Sequence, residues 1–149
     1  MISKKDLKSL SEKNKKDADI LFKYKRYSAC MYLIGYSIEL KLKHKICKIL
    51  KLDNGYPENV IEFDAYNVVK MKDSFSKISV KSIKDLKTHN LEKLLKISGK
   101  EVDVKTKALK EWTLVNSWNP EMRYVNSKVL KNEALAFCKS ISAVKNIIR

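Results

Sequence analysis

Only three glycines and two prolines occur among the 149 residues of this chain, and this scarcity constrains the fold most strongly. An all-β domain needs many tight turns, and tight turns depend on glycine and proline. Few such residues instead favour long helices joined by few loops. The chain has the length of one ordinary domain, which buries about 70% of its unfolded surface. We therefore predict a single all-α domain over residues 1–149.

Hydrophobic periodicity predicts where the helices lie. Apolar residues recur at steps of three and four in five segments, which are residues 3–24, 26–51, 90–98, 103–118 and 123–149. The start of the second segment, residues 29–36, is apolar all round, which is typical of the most enclosed helix of a bundle. Short joins between most segments favour an antiparallel up-and-down bundle of four to five main helices.

Residues 56–87 form an insertion between the second and third main helices of this predicted bundle. Turn residues end the preceding helix at Asp53-Asn54-Gly55 and Pro57. Apolar residues between Val60 and Val69 suit a short helix, whereas residues 75–80 alternate weakly and fit either a strand or a loop. The sequence leaves the role of this insertion open.

The formal net charge of +15 is the strongest functional signal in the composition. A field of this sign attracts polyanions, either nucleic acid or an acidic membrane surface. The excess is concentrated at the start, because residues 1–52 carry 14 basic and 5 acidic side chains. The alternative is a solvated coat of lysines with no partner. The longest apolar run has eight residues, far short of the roughly 20 that span a bilayer, so we expect a cytoplasmic protein without a membrane partner.

The cysteines do not indicate a metal site. Cys30, Cys47 and Cys138 are far apart, and no CxxC pair or suitably spaced histidine accompanies them. Each lies in an apolar stretch, which favours buried and reduced thiols. We therefore expect no metal and no cofactor.

Three segments, in order along the chain, resemble one family. The segment 26–43 ends in Glu-Leu-Lys-Leu-Lys, which resembles a signature on the second helix of HEPN domains (higher eukaryotes and prokaryotes nucleotide-binding domains). The segment 89–95, His-Asn-Leu-Glu-Lys-Leu-Leu, resembles the family's His-Asp-Leu-x-x-Leu-Leu, with Asn90 in place of Asp. The segment 118–124 resembles the Arg-Tyr element that opens the family's last long helix.

This resemblance implies a helical bundle that is often dimeric and that occurs in toxin–antitoxin, phage-defence and RNA-processing systems. Many members are metal-independent ribonucleases, in which an Arg is followed within a few residues by a His. The Arg steadies phosphate charge and the His moves a proton at the ribose 2′-hydroxyl. Here no His follows Arg123, and Lys128 stands where it is expected. A lysine at its usual pKa is no base near neutral pH.

The resulting prediction is a HEPN-type RNA- or nucleotide-binding module of a bacterial toxin–antitoxin or phage-defence system, which forms a homodimer and lacks the family's intact ribonuclease motif. Eight residues are the candidate phosphate or nucleic-acid ligands, namely Arg123, Asn126, Lys128, His89, Arg26, Lys41, Lys45 and Lys48. One alternative is a divergent metal-independent endoribonuclease that uses His89 or a low-pKa Lys128. Another is a non-catalytic partner of a nucleotidyltransferase or other effector encoded nearby.

Four further expectations concern the packing of individual residues. Arg123 and the lysine-rich outer helices should converge in one electropositive groove, and His44 should be exposed. Thr88 or His89 should cap the helix that begins near residue 90. Glu39, near the centre of the most buried helix, should pair either with Lys43 one turn on or across the bundle with Arg123 or Lys128.

Overall fold

The structure is a computed structural model, and it describes residues 1–67, 75, 78, 80–124 and 128–149. All regular structure in these residues is helical, apart from an isolated β-bridge between Ile2 and Tyr56, so the all-α prediction is confirmed. The helices, in chain order, are α1 (Lys4–Lys23), α2 (Tyr27–Ile49), α3 (Val60–Asn67), α4 (Ile83–Leu86), α5 (Leu91–Ile97), α6 (Glu101–Lys107), α7 (Leu109–Val115), a 3₁₀ turn (Pro120–Tyr124) and α8 (Lys131–Ile148). None of the helices described is both long and apolar enough to cross a membrane.

Helix α2 is the centre of this bundle, because α1, α5, the 3₁₀ turn and α8 all pack against it. Helix α2 follows α1 after a connection of only three residues and returns along it in the opposite direction. Ser3 caps α1 by accepting a hydrogen bond from the backbone N–H of Asp6 at 3.0 Å. Ser11 of α1 then donates to the carbonyl oxygen of Ser37 on α2 at 2.7 Å, which fixes the register of the pair.

Helices α2 and α8 run parallel, as do the second and fourth helices of a four-helix up-and-down bundle. Three contacts join them in increasing order along both helices, namely Cys30–Cys138 (Sγ to Sγ, 3.6 Å), Ser37–Lys145 (Oγ to Nζ, 2.6 Å) and Arg149–Lys45 (O to Nζ, 3.2 Å). The physical reason is the long middle segment, which carries the chain back to the end of the bundle where α2 begins. Both helices therefore present their N-termini at that end.

Burial along α2 is densest in its middle, and the helix is the central one of the bundle, as predicted. Ala29 is exposed, whereas buried residues are dense from Ile34 to Cys47. His44 is only 8% exposed, so the expectation that it is exposed was wrong. Helix α1 covers this face, and Lys4 and Lys8 lie close enough to affect the pKa of His44.

The connection from α5 to α8 differs from the predicted helices in three places. Asn90, rather than Thr88 or His89, caps α5 by accepting from the backbone N–H of Lys93 at 2.9 Å. The predicted helix 103–118 is broken at Ala108, whose backbone leaves the helical region. The last helix begins at Lys131 instead of residue 123, because residues 120–124 form the 3₁₀ turn.

Residues 56–87 contribute to the core. The predicted short helix is α3, and the buried ring of Phe63 stacks on the buried ring of Phe75 with centroids 5.2 Å apart. The hydroxyl of Tyr56 donates to the carbonyl oxygen of Leu86 at 2.7 Å, which ties the start of this segment to its end. Val68, Val69 and residues 76, 77 and 79 lie outside the described residues.

Candidate nucleic-acid interface

An open cleft of about 700 Å³ lies where the parallel helices α2 and α8 begin. Its lining comes from the α1–α2 connection with the start of α2, from Arg123, and from the approach to α8; these are residues 25–29, Tyr32, Arg123 and residues 128–131. The cleft brings together three of the predicted ligands, Arg26, Arg123 and Lys128, which are up to 102 positions apart in the sequence.

The lining of this cleft is strongly cationic. It contains Lys25, Arg26, Arg123, Lys128 and Lys131, and no acidic residue. Within the described part of the chain, none of these five side chains forms an ion pair. Five cations around one concave surface repel each other, so the surface is suited to an anionic ligand.

Two helix N-termini add to this positive field. Arg26 and Leu130 are the N-cap residues of α2 and α8, and neither side chain makes a capping hydrogen bond. The first backbone N–H groups of a helix have no partner within the helix, and the helix dipole places about half a positive charge there. Because α2 and α8 are parallel, both positive ends lie at the cleft. Phosphates bind readily to helix ends of this kind.

Arg123 is held at the cleft by two tyrosines. One guanidinium N–H group donates to the hydroxyl of Tyr32 at 3.3 Å and another to that of Tyr124. The guanidinium also lies over the ring of Tyr124, 4.6 Å from its centroid. These hydrogen bonds, that to Tyr124 first, raise the pKa of Arg123 further, so it stays charged. A guanidinium has five N–H donors, and therefore three remain for a phosphate.

The turn that carries Arg123 is anchored by a tryptophan against a glycine. The indole of Trp118 is only 2% exposed and packs on Gly35 of α2. A Cβ atom on Gly35 would come within 2.0 Å of Trp118 Nε1, so no larger residue fits there without movement. Close approach of another segment thus explains this glycine in the middle of a helix. The anchor fixes residues 118–124 across the start of α2.

Exposed aromatic rings accompany the cleft. Tyr24, next to Lys25, and Tyr124, next to Arg123, are each 73% exposed. The tyrosines of the α2 start are less accessible, because Tyr27 packs edge-on against Phe22 at 5.3 Å. Exposed tyrosines beside cations suit stacking on unpaired bases.

No protein family, curated protein or solved structure was found to match this chain.

His89 and Glu39 form a second polar site outside the cleft lining. Glu39 is only 2% exposed, and its two oxygens accept from Lys43 Nζ at 2.6 Å and from His89 Nδ1 at 2.8 Å. The predicted pair with Lys43 is confirmed, whereas the contacts described for Glu39 do not include Arg123 or Lys128. The His89 side chain is 57% exposed and lines a hollow of about 500 Å³ together with Asn116 and Ser117.

Three of the other predicted ligands do not join the cleft. Lys41, Lys45 and Lys48 lie in the second half of α2, and Lys41 is about 22 Å along the helix from Arg26 at 1.5 Å per residue. The expectation of one groove that contains all these cations is therefore wrong. Lys45 Nζ instead donates to the carbonyl oxygen of Arg149 at 3.2 Å. Asn126 lies outside the described residues.

The cleft can hold phosphate, but its described lining lacks groups for proton transfer at neutral pH. It contains no histidine and no carboxylate. Across the described part of the chain, no three His, Cys, Asp or Glu side chains are grouped as metal ligands. Sequence reasoning missed Lys25 and Lys131 as members of the cleft. Lys25 lay between two predicted helices, whereas Lys131 lay inside the predicted helix 123–149 and gave no such signal.

Proposed function

We propose that this protein is an RNA- or nucleotide-binding module that holds phosphate groups in the cleft at the start of α2 and α8. One observation carries the proposal: five cations without ion pairs and two uncapped helix N-termini face one concave surface. Phosphate contacts supply most of the affinity in nucleic-acid binding and do not depend on base sequence. Tyr24 and Tyr124 favour single-stranded RNA, because only unpaired bases can stack on them.

The resemblance to HEPN domains supports the same proposal and suggests its setting. A HEPN-type bundle would place the protein in a bacterial toxin–antitoxin or phage-defence system, as a homodimer. Lys128 lines the cleft together with Arg123, in the position where ribonucleases of that family have a histidine. A charged lysine there adds a phosphate ligand rather than a base. We therefore propose binding, and not cleavage, as the function of this cleft.

Salt-dependent RNA binding tests the proposal. We expect log affinity for a labelled single-stranded RNA to fall linearly with log salt concentration, measured by fluorescence anisotropy. The double substitution Arg123→Ala and Lys128→Ala should weaken binding about 10- to 100-fold and reduce the slope by about 1.4, since each single-strand phosphate contact contributes about 0.7. The matched control is Lys110→Ala with Lys139→Ala, which removes two exposed charges outside the cleft lining.

Equal losses in the two double variants would refute the cleft and leave only a general effect of net charge. Light scattering at several concentrations tests the proposed homodimer separately.

A second candidate function is a metal-independent ribonuclease centred on His89, and one observation favours it. The carboxylate of Glu39 accepts hydrogen bonds, so Nδ1 of His89 is the donor in this pair, on a side chain that is 57% exposed. A carboxylate orients catalytic histidines in the same way. Incubation of RNA with the protein in EDTA tests this candidate, with His89→Gln as the variant. An intact substrate would eliminate it and leave the binding proposal standing.

A further inference from the structure

A small pocket lies at the opposite end of the bundle, between α1, the second half of α2 and the end of α8. Its volume is about 160 Å³, and it is lined by Lys8, Ser11, Glu12, Lys41, Lys145, Asn146 and Arg149. Four cations and one carboxylate face this space. The cleft lies at the other end of α2, so the two sites share no lining residue.

Lys145 is the least usual member of this pocket. Its Nζ donates to Ser37 Oγ at 2.6 Å and to Ser11 Oγ at 3.2 Å, and both serines are buried. The described residues offer it no carboxylate within ion-pair distance. An ammonium group has three N–H donors, so two hydroxyls leave one donor and the whole charge uncompensated. Lys145 itself is partly buried, and a charge without a counter-ion is costly where it is shielded from water.

The neighbouring cations increase this cost. Burial, followed by repulsion from Lys41 and Lys15, lowers the pKa of Lys145 to about 8, although Glu12 and Asp19 act in the opposite direction. Burial also lowers the pKa of Lys41, with further repulsion from Lys48, Lys8 and Arg149. Positive charge is thus crowded on three helices around a space that is open to a small ligand.

We propose that this pocket binds one phosphate-sized oxyanion, either free phosphate or the terminal group of a phosphomonoester, against Lys145, Lys41 and Arg149. The volume equals that of about five water molecules, which admits a tetrahedral oxyanion. It lies well below the roughly 300 Å³ of the smallest pockets that enclose a drug-sized ligand, so a nucleoside would have to remain outside. The hydroxyl of Ser11 provides a polar neighbour at the base. The single carboxylate, Glu12, is exposed and is outnumbered by the cations.

The proposal is independent of the RNA cleft and can be tested without it. The background protein carries Arg123→Ala and Lys128→Ala, which weakens phosphate binding in the cleft. Amide NMR titration with inorganic phosphate should then show saturable shifts at the C-terminal end of α8. Lys145→Met should weaken this binding about 10- to 100-fold, because a charge-assisted hydrogen bond contributes about that factor. Lys139→Met, on the same helix but exposed, changes the charge equally and should leave the affinity unchanged.

A nucleoside monophosphate in place of phosphate distinguishes the two sources of the ligand. Tighter binding of the monophosphate indicates a phosphomonoester, whereas tighter binding of phosphate indicates the free ion. Arg149→Met provides a second variant, since this exposed terminal residue lines the pocket but is not needed for the core. The proposal fails if shifts at the end of α8 do not saturate. It also fails if Lys145→Met and Lys139→Met weaken binding equally.

Discussion

The two ends of α2 carry similar numbers of cations, but these cations differ in their exposure and in their hydrogen-bond partners. At the start of the helix, Arg26 is exposed beside an open cleft of about 700 Å³. In the second half, Lys41 is partly buried and Lys45 donates to the carbonyl oxygen of Arg149. The helix dipole enhances the difference, because its positive end adds to the field at the cleft. A high net charge therefore does not locate a binding surface; exposure and the direction of the helices do.

The comparison also separates two kinds of ligand. The cleft has the size for a chain of nucleotides, and exposed tyrosines adjoin two of its lining residues, whereas the pocket at Lys145 has room for one small anion. The cleft should respond to salt and to RNA, and the pocket to phosphate.

A larger residue at Gly35 should have the largest effect on the end of α2 that carries the cleft, because it lowers both stability and RNA affinity. Gly35→Val places a branched side chain where Trp118 packs, since even a Cβ would lie 2.0 Å from Nε1. Overpacking of a core typically costs 1–3 kcal/mol, and we expect a loss of about 3 kcal/mol in the free energy of unfolding, measured with urea. RNA affinity should fall as well, because Trp118 anchors the turn that carries Arg123.

A second substitution checks the cause of this loss. Trp118→Leu in the Gly35→Val background should restore part of the stability, because the smaller side chain leaves room for valine. If the double variant is no more stable than Gly35→Val, the contact between Gly35 and Trp118 is not the reason.

Raising the pH should increase the free energy of unfolding through Lys145, which lies at the opposite end of the bundle. The pKa of Lys145 is about 8 in the folded protein and 10.5 when the chain is unfolded, so both states are protonated below pH 8. Between pH 8 and 10.5 the unfolded state binds more protons, and the free energy of unfolding rises with pH. The full gain is up to about 3 kcal/mol at about 1.4 kcal/mol per pKa unit.

Comparison with Lys145→Met isolates this contribution from other groups that titrate in the same range. Urea unfolding at pH 7 and pH 10 should show that the wild type gains stability relative to the variant as the pH rises. A constant difference would mean that Lys145 does not titrate in this window. Lys41, Lys15, Glu12 and Asp19 act on this lysine and are present in both proteins.

The sequence was sufficient to predict the helices whose patterns are local. Periodicity places α1 and α2 within a residue or two, and the cap at Asn90 lies one position from those predicted. It did not predict the late start of α8. The prediction began this helix at residue 123, but Trp118 packs on Gly35 and residues 120–124 form a 3₁₀ turn that packs against α2. Tertiary packing therefore overrides local preference.

The site was predictable in its residues and not in its arrangement. Arg26, Arg123 and Lys128 were all candidates, yet a sequence cannot show that they meet, because the meeting depends on the parallel direction of α2 and α8. The same limit explains His44, which shares its segment with lysines but is covered by α1. It also explains why Cys30 and Cys138, far apart in the chain, lie with their sulfurs 3.6 Å apart.

The smallest expected effects compare one lysine from each end. Lys131 stands in the first turn of α8, where a positive charge opposes the helix dipole, so Lys131→Ala should raise the free energy of unfolding by about 0.5 kcal/mol. The same substitution should weaken RNA binding a few-fold, because it removes a cation from the cleft. Lys45 donates to a carbonyl oxygen at the end of α8, and Lys45→Ala should lower stability by about 0.5 kcal/mol and leave RNA binding unchanged. Urea unfolding and fluorescence anisotropy on both variants measure these four effects.

A charge that is kept for ligand binding destabilises the empty protein, and a structural charge stabilises it. If Lys131→Ala destabilises the protein, or if the two variants lose RNA affinity equally, the distinction between the two ends of α2 is wrong.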